Sequence, residues 1–122
     1  MPTIKSVEQA RAKFAWQCAK ARNKDYGRQV NKAPAYIKTN GLLNTMAFFY
    51  SKPGEGKGEA LEDIRKWLSH SDCGLLPHTE NTDVKMLDFL LLKQESDARF
   101  LIQCTSEVLS LLNWLRRFAK TS

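Results

Sequence analysis

Hydrophobic positions along this chain recur at three- and four-residue spacing, the period of one face of an α-helix. Over residues 6–24, Val7, Ala10, Phe14, Cys18 and Ala21 share such a face. Ser6 with Gln9 supplies the S-x-x-Q capping box that opens a helix. Lys13, Gln17, Lys20 and Lys24 fall on a neighbouring flank, and Trp16 points roughly opposite the apolar stripe, between Ala12 and Ala19. Over residues 25–39, Tyr26, Val30, Ala33 and Ile37 lie on one side and Arg28, Lys32 and Lys38 on others. Pro34 disfavours helical geometry at Ala33 and predicts a break or restart there.

The next stretch, TNGLLNTMAFFYSK, poses a choice. Asn40-Gly41 is a strong turn dipeptide, yet an apolar run follows at once. No strands flank it, so the pattern predicts a tight helix junction with Gly41 at positive φ or at a close backbone approach. The helix over 41–51 then buries Leu42, Leu43, Met46, Phe49 and Tyr50 against the last helix. Residues 52–59 and 70–81 are loops by composition. A helix over 59–69 turns Leu61, Ile64, Trp67 and Leu68 inward, and Thr82 or Asp83 caps another over 83–93. The last helix, 96–119, has Ser96 as its predicted N-cap. Its apolar face runs from Phe100 and Leu101 through Cys104, Val108, Leu111, Leu112 and Leu115 to Phe118 and Ala119. Arg99, Ser106, Ser110, Asn113 and Arg117 take the other side. No segment of useful length alternates with period 2 and no repeat is visible. The prediction is an all-α, single-domain bundle of five or six helices.

Composition sharpens this picture. The chain has 122 residues, enough for one domain with its own core. It opens MPTIKSVEQA with no apolar leader, and its apolar runs are too short to span a bilayer, which predicts a cytoplasmic protein without membrane partners. Three cysteines without CxxC spacing form no disulfide framework. Net charge is +6, which points to a polyanionic partner or to a solvated face that maintains solubility.

Candidate chemistry is sparse. PGEGKGEA has Lys57 followed by Gly58, with no preceding strand and no hydroxyl for Mg²⁺, so a connector fits better than a phosphate loop. His70, Cys73 and His78 share one loop but lack a fourth ligand at zinc spacing. Glu62 and Asp63 are read as helix-surface residues. No constellation argues for an enzyme, and no cofactor or metal is expected. The basic residues remain, and without an RRM, KH or helix-turn-helix signature they predict contact with a nucleic-acid backbone more than base reading. A stand-alone basic helical regulator is the other class this fits.

Three blocks together resemble one family. They are Tyr26-Gly27 followed by Pro34 and Ile37; TNGLLNTMAFFYSK; and Arg99 with Thr105-x-Glu107 and LLNWLRRFA, Leu111–Ala119. Their order and spacing are similar to the small subunit of the type III-B CRISPR effector, the Cmr complex, over roughly Val7 to Ala119. The resemblance implies a non-catalytic helical bundle that stacks in copies as a minor filament. Such a filament lies along guide and target RNA, beside backbone subunits and a large subunit. On that expectation Lys13, Lys20, Lys24, Arg28, Lys32, Arg99 and Arg117 are the RNA-facing candidates, and Trp16 a subunit contact.

Overall fold

A computed structural model describes residues 6–120. Residues 1–5, part of the opening read above as lacking a leader, lie outside the described residues, as do residues 121–122. The described residues form six α-helices and no strand: α1 Val7–Ala19, α2 Lys24–Asn40, α3 Leu42–Ser51, α4 Lys57–Leu68, α5 Asp83–Ser96 and α6 Ala98–Phe118. A 3-10 turn, His78–Glu80, interrupts the loop before α5. The predicted all-α bundle is therefore the observed one.

Four of the six helices start on a side-chain cap. Ser6 Oγ accepts from the Gln9 amide at 3.1 Å, and Gln9 Oε1 accepts from the Ser6 amide at 3.2 Å, completing the capping box. Asn23 caps α2 through the Tyr26 amide, and Thr82 caps α5 through the Lys85 amide. Asp97, not Ser96, caps α6 through the Phe100 amide; Ser96 is the last residue of α5, and its hydroxyl donates to the Leu92 carbonyl. Carboxylate and hydroxyl both make good caps, and chain geometry chose the later one.

Gly41 stands alone between Asn40 and Leu42, at φ 87° and ψ 161°. That region is essentially reserved for glycine. A β-carbon there would meet nothing within 4 Å, so conformation, not crowding, requires the glycine. Gly27 is the opposite case. A β-carbon there would lie 1.7 Å from the Lys120 carbonyl oxygen, because the chain leaving α6 crosses the first turn of α2. Lys38, at the other end of α2, shares a groove with Ser106 on α6. The two helices therefore run antiparallel.

α6 is the centre, touching α1, α2, α4 and α5. Its Cys104, Val108, Leu111, Leu112 and Leu115 are buried with Tyr26, Val30, Ala33 and Ile37 of α2 and Leu61, Ile64, Trp67 and Leu68 of α4. Each large apolar side chain fully buried here contributes about 1.5–3 kcal/mol relative to exposure.

Several expectations change. α1 ends at Ala19, because Asn23 starts a new helix, so Lys24 is the first residue of α2. The buried side of α1 is Ala10, Ala15 and Ala19, while Val7 and Ala21 are exposed. Small alanines let α1 approach closely and extend the inward face to Ala15 and Ala19, while Ala10, Phe14 and Cys18 of the predicted stripe still pack on the core. Pro34 does not break α2. It removes one amide donor, whereas continuity keeps Tyr26, Val30, Ala33 and Ile37 in one buried row. α3 packs on α2, α4 and α5 more than on the last helix, and Tyr50 is exposed. α4 begins at Lys57, and α5 runs on to Ser96.

Asp63, read as a surface residue, is 2% exposed. Arg22 reaches in and donates to both of its oxygens, at 3.1 and 2.8 Å, and to Glu62 at 2.7 Å. Its side chain came from the α1–α2 link, which sequence period alone does not place. A second bidentate pair joins Arg11 of α1 to Glu107 of α6, and Trp67 Nε1 donates to the same carboxylate at 2.8 Å. Buried carboxylates need such partners.

Candidate nucleic-acid interface

The arginines divide by role. Arg11, Arg22 and Arg65 are spent on Glu107, Asp63 and Asp83. The exposed lysines remain for solvent or a ligand. Lys13, Lys20, Lys24, Lys32 and Lys38 are all exposed, with no carboxylate salt bridge among the described residues.

Two surface hollows gather cations. One is the groove between antiparallel α2 and α6, about 350 Å³, lined by Lys38 and Pro34 on one wall and Ser106, Leu109, Ser110, Asn113 and Arg116 on the other. Ser106, Ser110 and Asn113 follow four- and three-residue spacing, so they form one row along α6. Two cations with two hydroxyls and an amide are the chemistry that holds a phosphodiester backbone: charge supplies affinity, and the neutral donors fix position.

The other hollow, about 500 Å³, lies at the corner where α1 gives way to α2. Lys20, the C-cap of α1, and Lys24, which opens α2, meet Lys120 there, with Arg22 and Glu59 in its wall. Lys120 Nζ also donates to the Arg22 carbonyl at 3.3 Å. The α2 N-terminus adds its partial positive charge to the three ammonium groups.

The remaining candidates are scattered. Lys13 lines a separate shallow groove beside His70 and Asp72. Arg28 pairs with Asp25 of its own helix, and Lys32 is exposed on α2. Arg99 and Arg117 lie eighteen residues apart on α6 (117 − 99), about 27 Å at 1.5 Å per residue, so they share a side and not a site. Trp16 is 49% exposed and meets Phe118 edge-on, with ring centroids 5.4 Å apart.

Arg116 and Lys120 were missed, and Lys38 was noted only as basic. Arg116 follows Asn113 by three, so it flanks the polar row, but only the pairing of α2 with α6 shows which flank becomes a groove. Its neighbour Arg117 splays the other way, with its guanidinium 5.3 Å from the Trp114 ring centre.

Titration states fit a surface of this kind. Hydrogen bonding from Arg11 holds the Glu107 carboxyl below the usual range, and Arg22 does the same for Glu62. Burial pushes the thiols up: Cys18 and Cys104 to about 12, Cys73 to about 11. Such thiols stay protonated and are poor nucleophiles near neutrality. His70 is occupied structurally: it stacks on Trp67, and its Nδ1 accepts from the Asp72 amide at 3.0 Å. Among the described residues no three His, Cys, Asp or Glu side chains gather as metal ligands, and no helix is long and apolar enough to cross a membrane.

All-helical and basic, with one core and its cations gathered in surface hollows, the chain is a small helical-bundle protein built around a central C-terminal helix. The family model described as CRISPR-associated protein (Cas_Cmr5) matches residues 7–122. The chain belongs to that family and is a CRISPR-associated Cmr subunit. The sequence blocks that carried the resemblance are mostly architecture. Tyr26-Gly27 and the end of LLNWLRRFA meet where Lys120 crosses α2, and Asn40-Gly41 is the α2–α3 junction.

Proposed function

We propose that this chain is a non-catalytic scaffold subunit of a type III-B, RNA-guided, RNA-targeting ribonucleoprotein in the cytoplasm, acting in antiviral defence. Copies of it stack as a minor filament against the backbone and large subunits, and it contacts the guide and target RNA through phosphates. The observation that carries the reading is the α2–α6 groove, where Lys38 of α2 and Arg116 of α6 line one hollow with Ser106, Ser110 and Asn113. The corner of Lys20, Lys24 and Lys120 extends the same chemistry toward α1. A non-catalytic role agrees with protonated thiols and a structurally engaged His70.

The test is co-purification. The tagged chain, recovered from cells that carry the complex, is expected to bring down a guide RNA together with the other subunits. The double variant Lys38→Glu/Arg116→Glu should still assemble but hold target RNA more weakly. Recovery without guide RNA or subunits, or sequence-specific duplex binding by the isolated chain, would instead mean a stand-alone regulator.

A further inference from the structure

α1 and α6 expose an aromatic ladder. Trp16 meets Phe118 edge-on at 5.4 Å, and Phe118 stacks on Trp114 at 5.8 Å and 24°. Arg117 lies over the far ring of that ladder, 5.3 Å from the Trp114 centre. Trp114 and Phe118 are half-buried, whereas Trp16 keeps 49% of its surface in solvent.

The ladder is ringed by cations. Lys13 and Lys20 stand at i−3 and i+4 from Trp16, and on a helix those positions adjoin the same side chain. Both are exposed. Of the carboxylates nearby, Glu8 is engaged by Arg11 at 2.7 Å and by Trp114 Nε1 at 2.7 Å, and Asp72 lines the groove that holds Lys13. About half of the Trp16 surface stays open to a flat partner. Lys13, Lys20 and Arg117 favour an anionic occupant over a cationic one. A nucleotide has that character: its base supplies a π-face and its flanking phosphates supply negative charge. Aromatic rings between basic side chains are how single strands are held without base-specific hydrogen bonds.

We infer that Trp16 is a stacking platform for one unpaired base, with Lys13, Lys20 and Arg117 engaging the phosphates on either side. This rests on the phosphate-contact reading above and adds base stacking to it. Phe118 and Trp114 back the indole and fix its plane, and Arg117 bridges the ladder to the exposed ridge of α6. The site distinguishes unpaired from paired nucleotides and reads no sequence.

The test uses the purified full chain at low salt and single-stranded oligoribonucleotides of about ten nucleotides, the span of one such surface. Binding is read by anisotropy and by quenching of tryptophan fluorescence. The wild-type chain should bind the normal strand more tightly than an abasic strand of equal charge. Trp16→Ala should weaken the normal strand by about 5- to 150-fold, remove most quenching and leave abasic binding unchanged. Trp16→Phe should recover most of the loss, and an unchanged melting temperature excludes misfolding. Equal binding of normal and abasic strands by the wild-type chain overturns the proposal with no variant needed. If Lys20→Glu weakens both strands while Trp16→Ala weakens neither, stacking falls and phosphate contact stands. If no strand binds at all, both readings fall. If Trp16→Ala abolishes self-association in sedimentation and spares strand binding, the patch is a contact between copies and the proposal is overturned.

Discussion

At the scale of single residues, the charges that matter for stability and those left exposed to solvent are different sets. Asp63 is buried and its partner Arg22 comes from the α1–α2 link. Removing Asp63 leaves a partly buried guanidinium with only Glu62, so Asp63→Ala should cost about 3 kcal/mol in urea unfolding, near the low end for a broken buried pair. Glu62→Ala, at a more exposed carboxylate, should cost less than about 1 kcal/mol. Titration adds a pH signature. Glu107 and Glu62 are depressed in the folded state. Their stabilisation is present above the unfolded value of about 4.3 and is lost as pH falls through the folded one. The thiols act in the other direction. Cys18 and Cys104 are raised to about 12. That contribution is full below the unfolded thiol value of about 8.5 and fades as pH climbs beyond it. Denaturation midpoints should therefore fall on both sides of a neutral plateau, and Ellman's reagent should react slowly with the native chain and quickly once guanidinium unfolds it.

At the scale of elements, junctions were legible where a residue's conformational preference acts alone. Gly41 follows from glycine's unique φ/ψ range, and Ser6 with Gln9 from a local reciprocal bond. Gly41→Ala should cost on the order of 1–3 kcal/mol, since no other residue takes that backbone region readily. Asp97→Ala should cost about 1 kcal/mol by removing the α6 cap, and Ser96→Ala far less. Thermal unfolding of these three variants checks the ranking. Where propensity competes with tertiary burial, local reading failed. Pro34 reads as a break, but a continuous buried row on α2 overrode one lost hydrogen bond. Spacing along α1 places Ala10, Phe14 and Cys18 inward but not Val7 or Ala21, because close packing selects Ala15 and Ala19 instead.

At the scale of the whole molecule, the class of architecture was written in the 3.6-residue period, and α6 was visible as the longest apolar face. The candidate surface was only half visible. Helical period puts Lys20 and Lys24 on one flank of a single helix, yet they come together because a new helix starts between them, not because they share one. Arg116 and Lys38 line one groove only because α2 packs beside α6, and pairing of distant helices leaves no mark in local spacing. The distinction between core and surface also gives a control. Leu112→Ala should cost about 2–5 kcal/mol and lower every property of the complex together. Charge reversals at the exposed Lys38 and Arg116 should leave the fold intact and weaken only the RNA contact proposed for them.

The most direct measurement of the central claim uses the assembled complex with Lys13, Lys20 and Lys24 reversed to glutamate. Affinity for guide-paired target RNA is measured across a salt series. If these lysines lie along the RNA, affinity falls at low salt and the slope of log affinity against log salt becomes shallower by up to about 2–3 units, from roughly 0.7–0.9 per lost phosphate contact. An unchanged affinity and slope, in a complex that assembles normally, would contradict the account and remove Lys13 and the α1–α2 corner from the RNA path.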